Sequence, residues 1–389
     1  MILTNKQEQG LKIAIERYKN KEKYCVISGY AGTGKSTLIK FITAALNIDE
    51  NDVVYTSLTG KATQVLLKKG NKNISTLHKL LYTWRPLPNG GYLKTKVESI
   101  PYQIVVVDEV SMVPKSLLLD LMQYDCYIIM CGDPYQLPQI TKEDAHTFLD
   151  NPHIFLDEVM RQAAESEIIR LSMDIRNQKP LVRNVGQEVL VLDKSELNTG
   201  MLTWADQIIC AKNETRFSIN MQMKEILGTG KLPAEGDKII CLRNYWETLS
   251  DTKLPLVNGT IGYISNIYES FIQYPQFLGG IKVPYLGVNF QSDSDDIYKI
   301  DIDKTKLIEE KNLLDWKTSY RINKNFRYKN SIPLEFAYGY AITCHKAQGS
   351  EWDKVLVIEE NFPFAVEEHS RWLYTAVTRA SEKLVVIRR

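Results

Sequence analysis

Residues 24–36 read YCVISGYAGTGKS, an apolar run that passes directly into a glycine-rich loop ending in Lys35 and Ser36. A helical pattern, Thr37–Leu46, follows, so the loop lies between a predicted strand and a predicted helix, as the GxxxxGK[ST] motif requires. Glycines let successive backbone N–H groups turn toward one anion, and the N-terminus of the next helix adds its positive end. The sequence therefore predicts a phosphate-binding loop. The residues expected to line it are Gly29, Ala31, Gly32, Thr33, Gly34, Lys35, Ser36 and Thr37.

Around this loop, short apolar and β-branched runs alternate with helical patterns, which is typical of a parallel α/β sheet. In the first 140 residues the predicted strands are Tyr24–Ser28, Val53–Ser57, Gln103–Val107 and Tyr127–Cys131. A later set comprises Glu188–Leu192, Gln207–Ala211, Phe336–Ile342, Val355–Ile358 and Leu384–Ile387. Two α/β lobes are therefore expected, the first over residues 1–152 and the second over 153–231 plus 332–389.

Two segments depart from this alternation. Residues 83–100 carry prolines and Asn89-Gly90-Gly91 between aromatic residues, which predicts a short hairpin that projects from the first lobe. Residues 232–331 are rich in Tyr, Asn, Gly and Asp and contain few helical patterns. Short strands are expected there at Lys238–Arg243, Thr260–Ile264 and Ile281–Tyr285. This composition predicts a small β insertion within the second lobe.

Composition leaves a nucleic-acid partner open and argues against a membrane partner and a zinc site. The net charge of +1 argues neither for nor against a nucleic-acid partner, because local distribution matters more than the sum. No apolar run approaches the roughly 18 residues that span a bilayer, so no membrane partner is expected. The six cysteines have no CxxC spacing, which makes a zinc site improbable and favours reduced thiols in a cytoplasm.

An acidic pair follows another apolar run. Ile104–Val107 leads directly into Asp108 and Glu109, where the second half of a phosphate site is expected. Asp108 would hold Mg²⁺, together with the Ser36 hydroxyl, and Glu109 would orient the water that attacks the γ-phosphate. Lys35 would contact the β- and γ-phosphates. Acidic residues also cap many strands, and that structural role is the alternative interpretation.

Three further motifs make the sequence specific. Residues 132–138 read GDPYQLP, residues 338–351 read YGYAITCHKAQGSE and residues 374–380 read YTAVTRA. With the phosphate loop, and in this order, they resemble the motifs of superfamily 1 DNA helicases of the 5′-to-3′ branch, the RecD-like and Dda-like enzymes. The resemblance implies an α/β fold of two RecA-like P-loop NTPase lobes. It also implies a β-hairpin insertion in the first lobe and a small SH3-like β insertion in the second.

The resemblance implies roles at the nucleotide as well. Gln7, in an LTxxQ-like element, would bind the adenine edge, and Gln136 would contact the γ-phosphate. Arg161 and Arg379 would reach the γ-phosphate from the second lobe, where a guanidinium suits phosphate oxygens because it stays charged and donates in pairs. In the motif at 338–351, the residues that would connect nucleotide and DNA are Gln348, Gly349 and Glu351.

Other motif residues are expected to contact DNA. The set implied by the resemblance is Thr59, Lys61, Thr76, His78, Thr343, His345 and Lys346. Leu58 stands where the family usually has proline, so the local turn is expected to differ. Trp84 and Tyr92 of the predicted hairpin are candidates to stack on the last base pair of a fork. A helix cap at Thr59, a core position for His78 and core packing of the two aromatics remain the alternatives.

The resemblance implies an ATP-dependent DNA helicase that uses Mg²⁺, translocates 5′ to 3′ on single-stranded DNA and unwinds forked duplex. A single-strand-binding protein and other replication, repair or recombination proteins are candidate partners. One alternative is a DNA-stimulated ATPase translocase that displaces proteins or serves a partner nuclease. Another is a nucleotide-gated loading factor without sustained turnover.

Overall fold

The computed structural model describes residues 3–68, 70–87, 91–138, 146–160, 165–252, 254–328 and 330–389. The chain forms two compact units. The first comprises the residues up to Tyr82 together with Lys96–Lys212 and Thr343–Arg389. The second comprises Thr83–Thr95 and Asn213–Ile342. The boundaries predicted for the hairpin and for the insertion, 83–100 and 232–331, stay predictions.

The strands of the described residues are, in chain order, β1 Tyr24–Gly29, β2 Val53–Ser57, β3 Ile74–Thr76, β4 Tyr82–Leu87, β5 Gly91–Lys96, β6 Ile104–Val107, β7 Tyr127–Gly132, β8 Ile154–Leu156, β9 Asn184–Val185, β10 Val189–Asp193, β11 Gln207–Cys210, β12 Lys238–Cys241, β13 Tyr245–Leu249, β14 Pro255–Leu256, β15 Ile261–Gln273, β16 Lys282–Ser292, β17 Ile297–Asp303, β18 Phe336–Tyr338, β19 Ala341–Thr343, β20 Trp352–Ile358 and β21 Ala380–Arg388.

The α-helices are Asn5–Lys19, Lys35–Ala45, Gly60–Lys68, Leu77–Leu81, Lys115–Leu121, His146–Asp150, Glu167–Arg176, Thr199–Trp204, Asn213–Ile226, Lys304–Glu309, Trp316–Lys324, Cys344–Ala347 and Val366–Val377. None of the described helices is long and apolar enough to cross a membrane.

The first unit contains a sheet in the order β3-β2-β6-β7-β1-β8, with every pairing parallel. Its strands are apolar at successive positions because both faces are covered. In β6, Val105 and Val107 belong to one buried cluster, whereas Ile104 and Val106 belong to the cluster on the opposite face. The parallel α/β prediction is confirmed. The four strands predicted here, now β1, β2, β6 and β7, begin and end within one residue of the predicted bounds, whereas β3 and β8 were not predicted.

A second sheet of the same unit includes, in this order, the strands β11-β20-β21-β10-β9. The pairs β11 with β20, β20 with β21 and β10 with β21 are parallel, and β9 pairs antiparallel at the edge. The helix Val366–Val377 is buried along much of its length, including Trp372 and Tyr374. Tyr374 of this helix accepts a hydrogen bond from the Ala31 N–H, so the helix lies beside the phosphate loop.

The second unit is built on an antiparallel sheet in the order β17-β16-β15-β12-β18. The predicted single strand Phe336–Ile342 is wrong. The chain forms β18 and β19 instead, and β18 pairs with β12 inside this unit. Gly339 separates the two strands, and a Cβ there would lie 3.0 Å from the Ile239 carbonyl carbon, so glycine permits the close approach of the backbones.

Candidate functional site

The glycine-rich loop starts at Gly29, the last residue of β1, and leads into the helix Lys35–Ala45. Gly32 and Gly34 have φ angles of 75° and 79°, in the left-handed region that favours glycine. A Cβ on Gly34 would lie 2.6 Å from the Met160 sulfur. The loop therefore requires glycine for its backbone shape and for the space around it.

Lys35 extends back over this loop. Its Nζ donates to the carbonyl oxygens of Gly29 at 2.8 Å and Tyr30 at 3.0 Å. The Thr33 hydroxyl also donates to the Tyr30 carbonyl, at 2.8 Å. The ammonium group, the turned backbone and the N-terminus of an 11-residue helix form a cradle suited to a phosphate group.

Gln7 is buried beneath the loop, with 1% of its surface exposed. Its Oε1 accepts from the Thr4 N–H at 3.0 Å, which completes a capping box at the start of the helix Asn5–Lys19. Its Nε2 donates to the Thr33 carbonyl at 3.2 Å. In this arrangement the amide joins the first helix to the phosphate loop, and its predicted contact with adenine stays a prediction.

The acidic pair lies at the carboxyl edge of the same sheet, where β6 ends. The Glu109 N–H donates to Asp108 Oδ1 at 3.0 Å. Glu109 itself has a φ of 52°, an uncommon conformation for a residue with a side chain, and it opens the short helical turn Val110–Met112. Such a strained backbone is found at functional sites more often than elsewhere.

Magnesium suits this edge. Ser36 and Asp108 both line one cavity of about 340 Å³. Mg²⁺ is usually bound by one or two protein oxygens, with phosphate and water completing its shell. The donor set therefore fits the ion predicted from sequence. Among the described residues, no group of three or more His, Cys, Asp or Glu side chains could hold a metal ion.

Asp133 follows directly after β7. It lies between the phosphate loop and the acidic pair, because β7 lies between β1 and β6 in the sheet. It is 1% exposed, and burial raises the pKa of its carboxyl while the charge of nearby Lys35 opposes the shift. Its Oδ1 accepts from the Tyr135 N–H at 2.9 Å, and its Oδ2 accepts from the Tyr374 hydroxyl at 2.6 Å.

Tyr374 lies in the motif at 374–380, and the sequence alone predicts no role for it. Its hydroxyl donates to Asp133 and accepts from the Ala31 N–H of the phosphate loop at 2.9 Å. Burial, followed by the charge of Asp133, raises the pKa of this phenol well above its usual range, so the hydroxyl stays protonated. Arg176 approaches the same loop, with its guanidinium carbon 3.6 Å from the centre of the Tyr30 ring.

Gln136 is 5% exposed, and its Oε1 has no hydrogen-bond partner among the described residues. The next residue is held from two sides. The Leu137 N–H donates to the Thr375 hydroxyl at 2.9 Å, and the Leu137 carbonyl accepts from Gln348 Nε2 at 2.6 Å. The motif at 132–138 is therefore bonded to both C-terminal motifs.

Arg379 is 6% exposed and donates to the Thr375 carbonyl at 3.1 Å and the Ser350 carbonyl at 3.3 Å. It borders a cavity of about 120 Å³. The other residues around that cavity are Ala62, Val65, Asp108, Glu109, Gly349, Ser350, Glu351 and Thr378. The structure thus brings the acidic pair and the predicted arginine finger to one space. Arg161 lies outside the described residues.

The motif at Thr59–Ala62 meets the motif at 338–351 beside this cavity. Gly349 has a φ of 70°, and a Cβ there would lie 3.0 Å from the Ala62 Cβ. The Lys61 Nζ lies 4.5 Å from the centre of the Trp352 ring. Two segments predicted to face DNA therefore lie beside the cavity that Asp108, Glu109 and Arg379 line.

Two of the predicted DNA contacts also cap helices. The Thr59 hydroxyl accepts from the Ala62 N–H at 3.2 Å, and the Thr76 hydroxyl accepts from the Lys79 N–H at 3.3 Å. A hydroxyl that accepts in a cap still has its own hydrogen to donate to a phosphate. The capping role and the predicted DNA contact are thus compatible.

The remaining predicted contacts are half-buried. The His78 ring lies 6.1 Å from the Tyr82 ring, and burial lowers the pKa of His345, which favours neutral imidazole. Thr343 precedes the short helix Cys344–Ala347, which carries His345 and Lys346.

The backbones of Trp84 and Tyr92 lie in β4 and β5, which form a two-stranded sheet. Their side chains, and residues 88–90, lie outside the described residues.

Comparison with known proteins gives two family matches. An AAA domain matches residues 3–191, and a UvrD-like helicase C-terminal domain matches residues 338–387. Together they match more than half of the chain. Their positions coincide with the two groups of motifs that line the cavity at Arg379.

Individual relatives agree with these families. The ATP-dependent RecD2 DNA helicase of Deinococcus radiodurans is 26% identical over 371 residues, covering 92% of this chain and 46% of the relative. The ATP-dependent DNA helicase dda of Enterobacteria phage T4 is 30% identical over 192 residues, covering 46% of this chain and 43% of the relative. In both matches, the aligned part is less than half the length of the relative.

Among solved structures, Pif1 helicase from Bacteroides in complex with ADP-AlF3 and ssDNA matches with a TM-score of 0.54 at 17% identity. The match covers 99% of this chain and 92% of that chain. At 17% sequence identity, this structural similarity shows a shared fold alone. By its motifs and these matches, the chain is similar to the superfamily 1 helicases, in the branch of the RecD-like and Dda-like proteins.

Proposed function

We propose that this chain hydrolyses ATP to move 5′ to 3′ along single-stranded DNA and to unwind duplex DNA ahead of it. The observation that carries the proposal is the cavity where Asp108 and Glu109 meet Arg379, because motifs from the two halves of the sequence border it. Relatives named as ATP-dependent DNA helicases support the same reaction. The direction of travel rests on the resemblance to the 5′-to-3′ branch.

In the proposed reaction, water attacks the γ-phosphorus and the bond to the β–γ bridging oxygen breaks. Glu109 orients the attacking water, while Lys35 and Arg379 donate to phosphate oxygens as negative charge redistributes. Ser36 and Asp108 would hold Mg²⁺, which would supply positive charge to the phosphate oxygens. Arg161 is proposed as the second arginine. An arginine in this role contributes about 10³–10⁵ in rate in related enzymes.

Coupling to DNA is proposed to pass through the bonded motifs around Leu137. Gln136 is positioned next to that residue, and its buried Oε1 suits a group that senses a γ-phosphate and its water without changing charge. The bond from Gln348 to Leu137 connects this sensor with the segment that carries Thr343, His345 and Lys346. Loss of the γ-phosphate would then alter the grip on DNA.

The two segments outside the parallel sheets also receive roles in this proposal. The two-stranded sheet of β4 and β5 would separate strands at a fork, with Trp84 and Tyr92 against the last base pair. The antiparallel sheet around β15 and β16 would correspond to an SH3-like module. Grip through backbone charges and stacking predicts weak sequence preference and marked salt sensitivity.

A translocase that hydrolyses ATP without unwinding is the second candidate, because the nucleotide site would serve both activities. The deciding experiment measures ATPase turnover and unwinding on forked duplexes with either a 5′ or a 3′ single-stranded arm. Unwinding confined to the 5′ arm supports the proposal. ATPase stimulation by single strands without unwinding supports the translocase, and negligible turnover with saturating DNA overturns both.

A further inference from the structure

A helix of the second unit presents an unusual surface. The helix Trp316–Lys324 begins at Asp315, whose carboxylate accepts from the Thr318 N–H at 2.7 Å. Thr318 and Ile322 are buried, and Ile322 belongs to an apolar cluster with Tyr274, Leu278 and Val283. The other side of the helix is exposed. We call it the aromatic–basic face and define it by Trp316, Lys317, Tyr320, Arg321 and Lys324.

Its aromatic residues are exposed far beyond what packing requires. Trp316 is 74% exposed and Tyr320 is 54% exposed, one helical turn apart. Phe326, just beyond the helix, is 98% exposed. Large aromatic side chains contribute most when buried, so several exposed rings on one short segment indicate a surface that binds something.

The charge of the face identifies the kind of partner. From Trp316 to Tyr328 the sequence contains four cationic residues, Lys317, Arg321, Lys324 and Arg327, and no Asp or Glu. Among the described residues, none of these four lies in an ion pair with a carboxylate. Some other cations of the same unit are paired, such as Lys304 with Glu269 at 2.7 Å.

Cations and rings alternate along the face. The Lys324 Nζ lies 4.7 Å from the centre of the Tyr320 ring, and the Lys317 Nζ lies 5.9 Å from the centre of the Trp316 ring. A phosphate could therefore bind a cation while the adjoining base stacks on the neighbouring ring. Bases are free to stack in this way in single strands, since in a duplex they already stack on each other.

We propose that the aromatic–basic face binds single-stranded nucleic acid, with phosphates at Lys317, Arg321 and Lys324 and bases on Trp316 and Tyr320. The proposal rests on the proposed DNA helicase function and adds a binding surface to it in the second unit. Binding through phosphates and stacked bases carries little sequence preference, which suits a protein that passes along many sequences.

The test uses the full chain and a fluorescent oligothymidylate, with affinity measured over a range of salt concentrations. K317Q/R321Q/K324Q should weaken binding and reduce the slope of log affinity against log salt, by about 0.7 for each phosphate that the variant no longer binds. W316A/Y320A should weaken binding by roughly tenfold or more, because two bases can no longer stack, without changing that slope.

Matched controls come from the same unit. K231Q/K299Q/K311Q removes the same charge from exposed positions elsewhere, and Y263A/F277A removes two exposed rings. Both should bind as the unsubstituted chain does. All variants should keep the melting temperature of that chain, because the substituted side chains are exposed.

Failure of this inference differs from failure of the proposed function. If the unsubstituted chain unwinds forks and the face variants bind like the controls, the face is not a DNA surface, and an acidic protein segment becomes the better partner. If the unsubstituted chain neither binds the oligonucleotide nor shows DNA-stimulated ATPase, the proposed function and this inference fall together. Weakened binding in the face variants alone supports the inference.

Discussion

Tyr374 connects groups that are far apart in the sequence, since its hydroxyl donates to Asp133 and accepts from the Ala31 N–H. Asp133 follows directly after the central strand β7, and Ala31 belongs to the phosphate loop. Deleting the hydroxyl would leave a buried carboxylate with one donor fewer. Removing a hydrogen-bond partner of this kind costs about 1–3 kcal/mol.

Tyr374→Phe should therefore lower the stability of the chain and reduce its ATPase rate, because the Ala31 N–H of the loop no longer has its acceptor. Calorimetry and a steady-state ATPase assay measure the two effects. Tyr135→Phe is the matched control, as its hydroxyl bonds the Ser370 hydroxyl at 2.9 Å and is not bonded to the loop. Equal ATPase rates for Tyr374→Phe and the unsubstituted chain would show that the hydrogen bond is not used in turnover.

Lys35 provides the second prediction at this scale. Lys35→Ala should abolish ATP hydrolysis, since the ammonium group that reaches over the loop disappears with it. Lys12→Ala, on the exposed side of the helix Asn5–Lys19, is the control and should keep full activity. DNA-stimulated ATPase that survives Lys35→Ala would refute the assignment of the phosphate site.

At the scale of elements, the second unit contains a buried ion pair. Lys224, on the helix Asn213–Ile226, bonds both carboxylate oxygens of Asp237, and the two side chains are 0% and 1% exposed. Asp237 also accepts from the Tyr340 hydroxyl at 2.9 Å and the Ala234 N–H at 2.7 Å. The pair links this helix to the start of β12.

Lys224→Met should destabilise the chain by about 3–5 kcal/mol, because it leaves a buried carboxylate without its cation. Lys179→Met removes a lysine from an exposed pair with Asp174 and should cost less than about 1 kcal/mol. Denaturant unfolding followed by circular dichroism compares the two. Similar losses of stability in both variants would contradict the expected difference between buried and exposed pairs.

The two strands β4 and β5 carry the other prediction about elements. Replacing Trp84 and Tyr92 by Ala should impair unwinding of a forked duplex and spare DNA-stimulated ATPase, if the sheet separates strands. The two assays are run on the same preparation, with Tyr263→Ala as an exposed aromatic control in another sheet. A parallel fall of both activities would assign the two aromatics to packing.

At the scale of the molecule, the first unit joins its motifs by hydrogen bonds that cross long stretches of sequence. Gln348 and Leu137 are 211 residues apart, and Thr375 and Leu137 are 238 apart. These bonds connect the nucleotide edge with the segment that precedes β20. We therefore expect a change at one of the two places to affect the other, and test this at Gln348.

Gln348→Ala should retain ATP binding and basal hydrolysis but lose at least about fivefold of the stimulation by single-stranded DNA, a usual size for coupling between sites. ATPase titrations with oligothymidylate measure this. Gln187→Ala, on an exposed turn of the same unit, serves as the control. Unchanged stimulation in Gln348→Ala would place the coupling elsewhere.

Much of the first unit was predictable because its signals are local. The apolar runs before Gly29 and Asp108 specify strands buried on both faces, and the glycines at 32 and 34 suit the left-handed turn that the loop makes. The second unit was less predictable. The strand expected at Thr260–Ile264 continues to Gln273, since an antiparallel strand with exposed faces needs no continuous apolar run.

By itself, the sequence determined the phosphate loop, the acidic pair and the order of the motifs, because each depends on neighbouring residues and on backbone geometry. Only the tertiary structure decided which distant groups meet. The Tyr374 hydroxyl and the Asp133 carboxylate are separated by 241 residues, and no local pattern marks either as the partner of the other. Packing brings them together, and burial then makes the hydrogen bond obligatory for both.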